Sequence, residues 1–357
     1  MDFLEIDGDY LEGGGQILRT AASISCITKT PIRVFNIRAR RAKPGLKPQH
    51  LSVIEALSKL CKAEVKGLRL YSKEITFVPR KEPIKIKQIT IDTHTSGAIG
   101  LVIQSMLPVC AFASEGIEMY IKGGTCGLGA IPVDYYPVVV LPLLSRSGVV
   151  ASLEIIRRGY YPKGGGEVRL AVEYTAGNLK PINLVNQGRL LRIEGLSFAS
   201  RHLKARGVAD RQAESARDIL LKHFSCPVEI KREYIDTYSP GSELNLYAIT
   251  DTGCVLWADV RGQRGKSSEE IGREASFKLI KEIDSGAAAD LHLADNLIPL
   301  LSLLGGAIKT SEITNHTRTN MWVCEKFFGK IFKIEDNIIT AVTPQIKSVL
   351  TAEICGS

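Results

Sequence analysis

Ile313-Thr314-Asn315-His316-Thr317-Arg318-Thr319-Asn320 runs directly into Met321, Cys324, Phe327 and Phe328, which recur at helical spacing. The stretch reads as a polar loop entering a helix. A helix N-terminus presents unpaired N–H groups and the positive end of its dipole, both suited to an anion. One histidine and one arginine stand there among several hydroxyls. Two readings compete: Thr and Asn side chains merely capping a helix, or a nucleophilic or acid–base histidine facing a phosphate. Taken alone, the stretch favours the capping reading.

Its surroundings change the weighing. A helical pattern at about 293–304 and a strand pattern at about 307–313 precede it, and strands at about 330–334 and 338–343 follow. The same order of strand, helix, strand, helix, strand, strand occurs twice earlier. Its first copy covers about 3–6, 16–28, 31–37, 48–62, 64–71 and 74–79. The second covers about 84–91, 96–113, 116–122, 133–146, 150–157 and 166–173. An offset of about 85 residues at fixed order marks an internal repeat. A third copy exists only if it is broken after a first strand at about 182–185. The interrupting residues carry their own strands and two helical patterns, at about 209–223 and 267–283, before the Gly- and Ala-rich return at Ser285-Gly286-Ala287-Ala288-Ala289. The expectation is an α/β (α+β) chain with a core of three repeated βαβαββ-type units, residues 1–185 and 288–357, and a smaller inserted α/β domain, residues 186–287. The loops before the three second helices, at 43–50, 125–134 and 314–319, then become equivalent and can converge on one site.

Bulk properties narrow the class. Hydrophobic residues make up 45% and charged residues 24% of the 357, which excludes a disordered chain and suits a globular one. No run of about 18 apolar residues occurs, and Met1-Asp2-Phe3-Leu4-Glu5 lacks a signal-peptide pattern. The expectation is a cytoplasmic protein with no membrane partner. The eight cysteines form no C-x-x-C pair and mostly have apolar neighbours, so they read as buried thiols. The net charge of +8 suits a polyanionic partner, and five cations fall within ten residues in Arg38-Ala39-Arg40-Arg41-Ala42-Lys43 and Lys47.

Four strings carry candidate chemistry. In Glu12-Gly13-Gly14-Gly15-Gln16-Ile17-Leu18-Arg19-Thr20 the glycines allow close approach to a phosphate, with Glu12 available to a cation and Arg19 to the anion. It matches neither the Walker A motif nor G-x-G-x-x-G, and a plain structural turn is an equal reading. The basic string from Ile37 to His50 is locked between a strand and a Pro-started helix, which favours phosphate binding by Arg38, Arg41, Gln49 and His50. Tyr160-Tyr161-Pro162-Lys163-Gly164-Gly165-Gly166-Glu167 reads as a tight turn into a strand. In Asp290-Leu291-His292-Leu293-Ala294-Asp295-Asn296, His292 competes with His316 as nucleophile, and Asp295 is placed to hold a metal or cap a helix.

Together these strings resemble the RNA 3′-terminal phosphate cyclases, in particular archaeal-like members. The matching parts are E-G-G-G-Q-I-L-R-T, I-R-A-R-R-A-K-P-G-L-K-P-Q-H-L, G-Y-Y-P-K-G-G-G-E-V, H-L-A-D-N-L and H-T-R-T-N, in family order over nearly the whole chain. The resemblance implies ATP-dependent conversion of an RNA 3′-phosphate end to a 2′,3′-cyclic phosphate. It implies His316 as the nucleophile, a histidine–AMP adduct, and an RNA–pp–adenosine anhydride that the vicinal 2′-hydroxyl opens. It further implies Glu12 as the contact for Mg²⁺ or Mn²⁺, with Arg19, Arg38, Arg41, Gln49 and His50 at the phosphates. His292 would stack on adenine with Pro132 on the opposite face, Gln104 would lie near the nucleotide, and Asp295 would orient the histidine. Asn296 stands where the family often has Gln, and the loop Cys126-Gly127-Leu128-Gly129-Ala130-Ile131 lacks the usual prolines, which bears on Pro132.

Two alternatives come from other classes. The family includes non-catalytic, cyclase-like RNA-binding proteins of ribosome assembly that lack the nucleophile, whereas His316, Glu12, Arg19 and Gln49 all stand in this chain. Enolpyruvyl transferases share repeated units of this kind without a histidine–nucleotide intermediate, and fold alone does not decide function. A homo-oligomer is compatible with the sequence.

Overall fold

The computed structural model describes residues 2–94, 96–127, 129–175 and 179–342. Leu128, Cys355 and the end of the strand expected at 338–343 lie outside them.

Three units share one topology. The first comprises β1 (Leu4–Asp7), α1 (Gly15–Thr28), β2 (Ile32–Phe35), α2 (Pro48–Leu60), β3 (Glu64–Lys66) and β4 (Ile75–Val78), with strand order β1-β2-β4-β3. The second comprises β5 (Gln88–Asp92), α3 (Ile99–Ala111), β6 (Ile117–Gly123), α4 (Leu141–Arg146), β7 (Ala151–Arg157) and β8 (Gly166–Val172), ordered β5-β6-β8-β7. In each, the first two strands are parallel across a helical crossover and the rest are antiparallel. The third unit begins with β9 (Ile182–Leu184) and resumes only at α7 (Leu291–Leu304), β14 (Gly306–Lys309), α8 (Asn315–Phe328), β15 (Phe332–Glu335) and β16 (Ile338–Ala341). Its β9 pairs in parallel with β14, and its order β9-β14-β16-β15 repeats the other two.

Period-two burial explains why these short segments are strands. Ile32 and Val34 face inward from β2, and Val168, Leu170 and Val172 from β8, while their neighbours point out. The helices α1, α3 and α7 pack into one hydrophobic core that runs through all three units. Helix α1 is buried on every side from Ile17 to Ile27, so its hydroxyls must find partners inside. Ser23 meets this by donating to the Ser105 carbonyl at 2.7 Å.

Between β9 and α7 the chain forms β10 (Leu190–Ser200), α5 (Val208–His223), β11 (Val228–Ile235), β12 (Ser242–Thr250), β13 (Val255–Arg261) and α6 (Ser268–Asp284). This fourth sheet, ordered β11-β10-β12-β13, packs on α5 and α6 around a separate core that includes Ile193, Leu220, Leu246 and Leu279. We propose that residues 186–287 are a domain inserted into a core of residues 1–185 and 288–357. It interrupts the first crossover of the third unit, where unit one has only the turn between β1 and α1.

Two local departures have physical causes. The helix expected over 133–146 starts as a π-helical turn, Tyr136–Val140, in which the Leu141 N–H reaches back to the Tyr136 carbonyl. Pro137 and Pro142 lack N–H groups, and the wider turn accommodates that loss. The seven described cysteines are free thiols, with Cys26 and Cys61 buried 3.1 Å apart. No helix among the described residues is long and apolar enough to cross a membrane.

Where unit two meets the inserted segment, Arg158 donates to both oxygens of Asp134 at 2.6 Å and lies 3.4 Å from Glu243. The Tyr160 hydroxyl donates to Glu243 at 2.9 Å, and the guanidinium sits over Phe198. All of these charges are nearly or fully buried. Removing Arg158 would strand two carboxylates, which costs about 3–5 kcal/mol in buried pairs. Arg158→Ala is therefore expected to lower the thermal midpoint by many degrees, with Asp134→Asn added to it restoring part of the loss. An unchanged midpoint in Arg158→Ala would contradict this.

Candidate active site

The N-terminus of α8 is fastened before it does any chemistry. Thr314 caps it, its hydroxyl accepting from the Thr317 N–H at 3.0 Å. Asp295, on α7, accepts from the hydroxyls of Thr314 at 2.8 Å and Thr317 at 2.5 Å. Asn320 donates to the Asp295 carbonyl at 2.9 Å and accepts from the Thr20 hydroxyl of α1 at 2.8 Å. The start of unit one's first helix and the start of unit three's second helix are thus held together.

His316 projects from this anchored turn, about half exposed. Gln16, at the start of α1, donates to the His316 carbonyl at 2.5 Å and accepts from Nδ1 of its ring. With the Nδ1 proton held by the Gln16 carbonyl, Nε2 is the ring atom that carries the lone pair when the ring is neutral. It lies 3.2 Å from the Glu12 carboxylate, a contact in which a protonated Nε2 donates, so the lone pair becomes available once that proton is given up. Asp295 therefore does not touch the imidazole. It orients His316 through the two threonines, and burial raises its own carboxyl above the usual range. Nor does it cap α7. That role belongs to Asp290, which accepts from the N–H groups of His292 and Leu293 at 2.9 Å each.

A cleft of about 440 Å³ opens beside His316. Gln16, Arg19, Gln104, His292, Asp295 and Asn296 line it, joined by Asp259, Arg261 and Lys278 from the inserted segment. Its size suits a nucleotide. Arg19 is the most informative of these groups. It is only 8% exposed, faces no carboxylate among the described residues, and its Nε is buried without a partner. Burial depresses its pKa to about 10. A buried guanidinium without a counter-ion lowers its cost by taking an anion. His292 stands edge-on to Tyr135, and desolvation lowers its pKa, which favours the neutral ring suited to stacking on a base.

The basic loop lies on the other side of α1's N-terminus. Arg41 approaches Gly14, and Gln49 sits half-buried at the start of α2. Arg38, in the left-handed region at φ +55°, uses one Nη to bind the carbonyls of Lys43 and Gly45 at 2.7 and 3.0 Å, so it also shapes the loop. Neither Arg38, Arg41 nor Gln49 lines the cleft of His292.

Two expectations need correction. His50 is 2% exposed and accepts from the Lys47 N–H at 3.0 Å, closing the start of its own helix. Its ring presses on Gly15, where a Cβ would lie 2.0 Å from Nε2. Burial and the nearby Arg19, Arg38 and Lys47 push its pKa down to about 3. A neutral, enclosed imidazole supports the glycine run and is not an open anion contact. Pro132 is buried and outside the cleft's lining, to which Gly129, Ala130 and Ile131 contribute instead. The Asn296 amide turns back to the His292 carbonyl at 2.8 Å, holding the ring's backbone. The Gly164–Gly165 turn is structural, since a Cβ on Gly165 would strike the Tyr238 ring. Sequence reasoning missed Gln16 as a partner of His316, although it stands inside the quoted glycine string. It also missed the contribution of β13, which no motif announces.

Asp290 offers a pH test of this scaffold. Its Oδ1 accepts the Tyr135 hydroxyl at 2.8 Å, its Oδ2 has no partner, and burial raises its pKa to about 7. Because the folded pKa exceeds the unfolded value of about 3.9, the folded state binds more protons between these limits, and the contribution to stability falls as pH rises through them. Asp290→Asn keeps a capping oxygen without ionising. Its thermal midpoint relative to wild type is expected to climb from pH 4 to pH 7; a flat difference would contradict a protonated Asp290.

The family described as RNA 3′-terminal phosphate cyclase matches residues 10–334. The chain is 45% identical to the RNA 3′-terminal phosphate cyclase of Thermococcus kodakarensis over 98% of its length and all of that protein's. It is 42% identical to the Pyrococcus abyssi protein of the same name, covering 94% of this chain and 96% of that one. The Ignicoccus hospitalis protein, also so named, is 39% identical over 92% and 93%. This chain is a member of the RNA 3′-terminal phosphate cyclase family.

Proposed function

We propose that this chain is an RNA 3′-terminal-phosphate cyclase, using ATP to convert an RNA 3′-phosphate into a 2′,3′-cyclic phosphate through AMP carried on His316. The observation that carries this reading is the pairing of an oriented, solvent-facing imidazole with the counter-ion-free Arg19 across one nucleotide-sized cleft. The relatives' names support the reaction. A non-catalytic relative would have no need for a ring held at Nδ1 with Nε2 turned towards a carboxylate.

In the first step Nε2 attacks the α-phosphorus of ATP, a P–N bond forms, and the bond to pyrophosphate breaks. The N-terminus of α8 and Arg19 stabilise the charge on the α-phosphate. His292 and the Ala130–Ile131 wall flank the adenine, while Gln104 and Asn296 border the nucleotide. In the second step a 3′-phosphate oxygen of the RNA attacks the same phosphorus and His316 leaves as the neutral ring, giving the RNA–pp–adenosine anhydride. Gln16 serves both steps because it accepts the Nδ1 proton throughout. In the third, the 2′-hydroxyl attacks the 3′-phosphorus and AMP departs; hydroxyl and phosphate share one ribose, so ring closure is intramolecular. Arg38, Arg41 and Gln49, which do not line the nucleotide cleft, are the groups left to hold the pyrophosphate and then the RNA phosphate.

Among the described residues no three His, Cys, Asp or Glu side chains form a preformed metal cage. Mg²⁺ is commonly held by one or two carboxylates plus substrate phosphates, and Glu12, whose carboxylate lies 3.2 Å from Nε2 of His316, fits that pattern for Mg²⁺ or Mn²⁺. Such an ion would neutralise phosphate charge. Catalysis in the cytoplasm and assembly as a homo-oligomer are compatible with this reading.

The test is conversion of a 3′-phosphorylated oligoribonucleotide to its cyclic phosphate with ATP and Mg²⁺. Wild type is expected to cyclise it, His316→Ala to be inactive, and Arg19→Ala to lose about 10²-fold or more, the scale for a lost charge-stabilising donor. Cyclisation by His316→Ala at wild-type rate would end the proposal.

A further inference from the structure

We propose that Cys26 and Cys61 are a disulfide-forming pair, and that their cross-link fixes α1 against α2 at the end of both helices far from Gly15 and His50. Neither cysteine takes part in the reaction proposed above, so the pairing stands or falls separately from it.

The two helices run side by side in register. At their starts the His50 ring of α2 presses on Gly15 of α1. Cys26 stands eleven residues after Gly15, in the last turn of α1, and Cys61 eleven residues after His50, at the C-cap of α2. Eleven residues span about 16 Å of helix in either case, so a pair that meets at its starts meets again at its ends. There the two sulfurs lie 3.1 Å apart, Cys26 fully covered and Cys61 3% exposed. From that separation a disulfide of about 2.05 Å needs an approach of about 1 Å. Cys110, a third thiol in the same core, is engaged elsewhere, its sulfur 4.0 Å from Sδ of Met119.

As thiols the pair is poorly satisfied. Both S–H groups turn to one acceptor, the Leu57 carbonyl, at 3.7 Å from Cys26 and 3.2 Å from Cys61, and that oxygen already accepts the Cys61 N–H at 3.1 Å. A disulfide removes both donors from the core. Nζ of Lys29 is buried without a hydrogen-bond partner among the described residues, and its charge favours the thiolate of either cysteine. A hydrogen bond from Cys26 lowers the Cys61 thiol below its ordinary value, while burial raises that of Cys26. Cys61, the less covered of the two, is then the first nucleophile. The oxidant is a low-molecular-weight disulfide. The Cys61 thiolate attacks one of its sulfurs and releases a thiolate; the Cys26 thiolate attacks the mixed disulfide at the Cys61 sulfur and releases the second. The two protein thiols thereby lose two protons and two electrons, and the reagent becomes two thiols. With both sulfurs covered in the folded chain, exchange takes place as unit one folds or as the end of α2 opens locally. The bond joins positions 35 apart. It restricts the unfolded chain over the segment that carries Arg38, Arg41 and Gln49, and closing a long loop stabilises more than closing a short one.

The full chain, refolded with glutathione disulfide, then denatured without reductant and alkylated with iodoacetamide, tests this by intact mass and peptide mapping. Cys26 and Cys61 are expected to escape alkylation and to appear as one cross-linked peptide pair, lighter than the reduced pair by two hydrogens. The oxidised protein is expected to melt about 5 °C or more above the same protein reduced with dithiothreitol. That difference should disappear in Cys26→Ala and in Cys61→Ala, each compared with itself in the two redox states. Where a variant does not fold, the wild-type comparison decides by itself. Alkylation of both Cys26 and Cys61 after oxidation would overturn the proposal, as would a bond from Cys26 to Cys110 or glutathione left on Cys61 as a mixed disulfide. A cross-link that forms and leaves the midpoint unchanged would overturn the fixing of α1 against α2.

Discussion

The Thr20 hydroxyl donates to Asn320, and the Asn320 amide donates to the Asp295 carbonyl. These two bonds fasten α1, α8 and α7 at their N-terminal ends, and the site depends on them. Each is worth about 1 kcal/mol net, but an unmade buried partner costs about 1–3 kcal/mol. The alternatives to the observed docking are therefore penalised more than the docking itself is rewarded. Asp295 adds a second tie through Thr314 and Thr317. With the turn fixed at both ends, Gln16 can hold the carbonyl and the Nδ1 of His316 together, and the scaffold sets Nε2 beside the Glu12 carboxylate. Catalytic groups need placement to within about 0.5 Å, and supporting hydrogen bonds of this kind provide it.

The repeated units explain why such distant residues meet. In each, a crossover helix lies over a small mixed sheet, and the three crossovers pack into one core. Two of them, α1 and α7, bring their starts to the α8 terminus. The inserted segment enters at the third crossover, immediately before Asp290. That entry point lets β13 reach the nucleotide cleft without disturbing a sheet. The buried Arg158 bridge then sets the insertion's edge against unit two.

Much of this was legible in the chain. The repeat is written in local periodicity, and the interruption shows as an order that resumes. The strings around Glu12, Arg38, His292 and His316 are contiguous in sequence, so a linear reading finds them. What a linear reading cannot find is which atom meets which across long separations. Gln16 and His316 are 300 positions apart. His50 looks like an anion ligand until its ring is seen pressed on Gly15. Pro132 and Ile131 are neighbours, and only the backbone turn decides which one lines the cleft. Asp259 sits in an ordinary strand, where alternation gives it no distinction from any other polar residue.

Tandem mass spectrometry can locate the nucleotide that His316 is proposed to carry. The protein would be incubated with ATP and Mg²⁺, quenched at alkaline pH to preserve a phosphoramidate, digested and sequenced. An AMP adduct is expected on the peptide that contains Thr314–Asn320, with fragment ions placing it on His316. An adduct on His292, on a lysine, or on no residue of a protein that still cyclises RNA would contradict it.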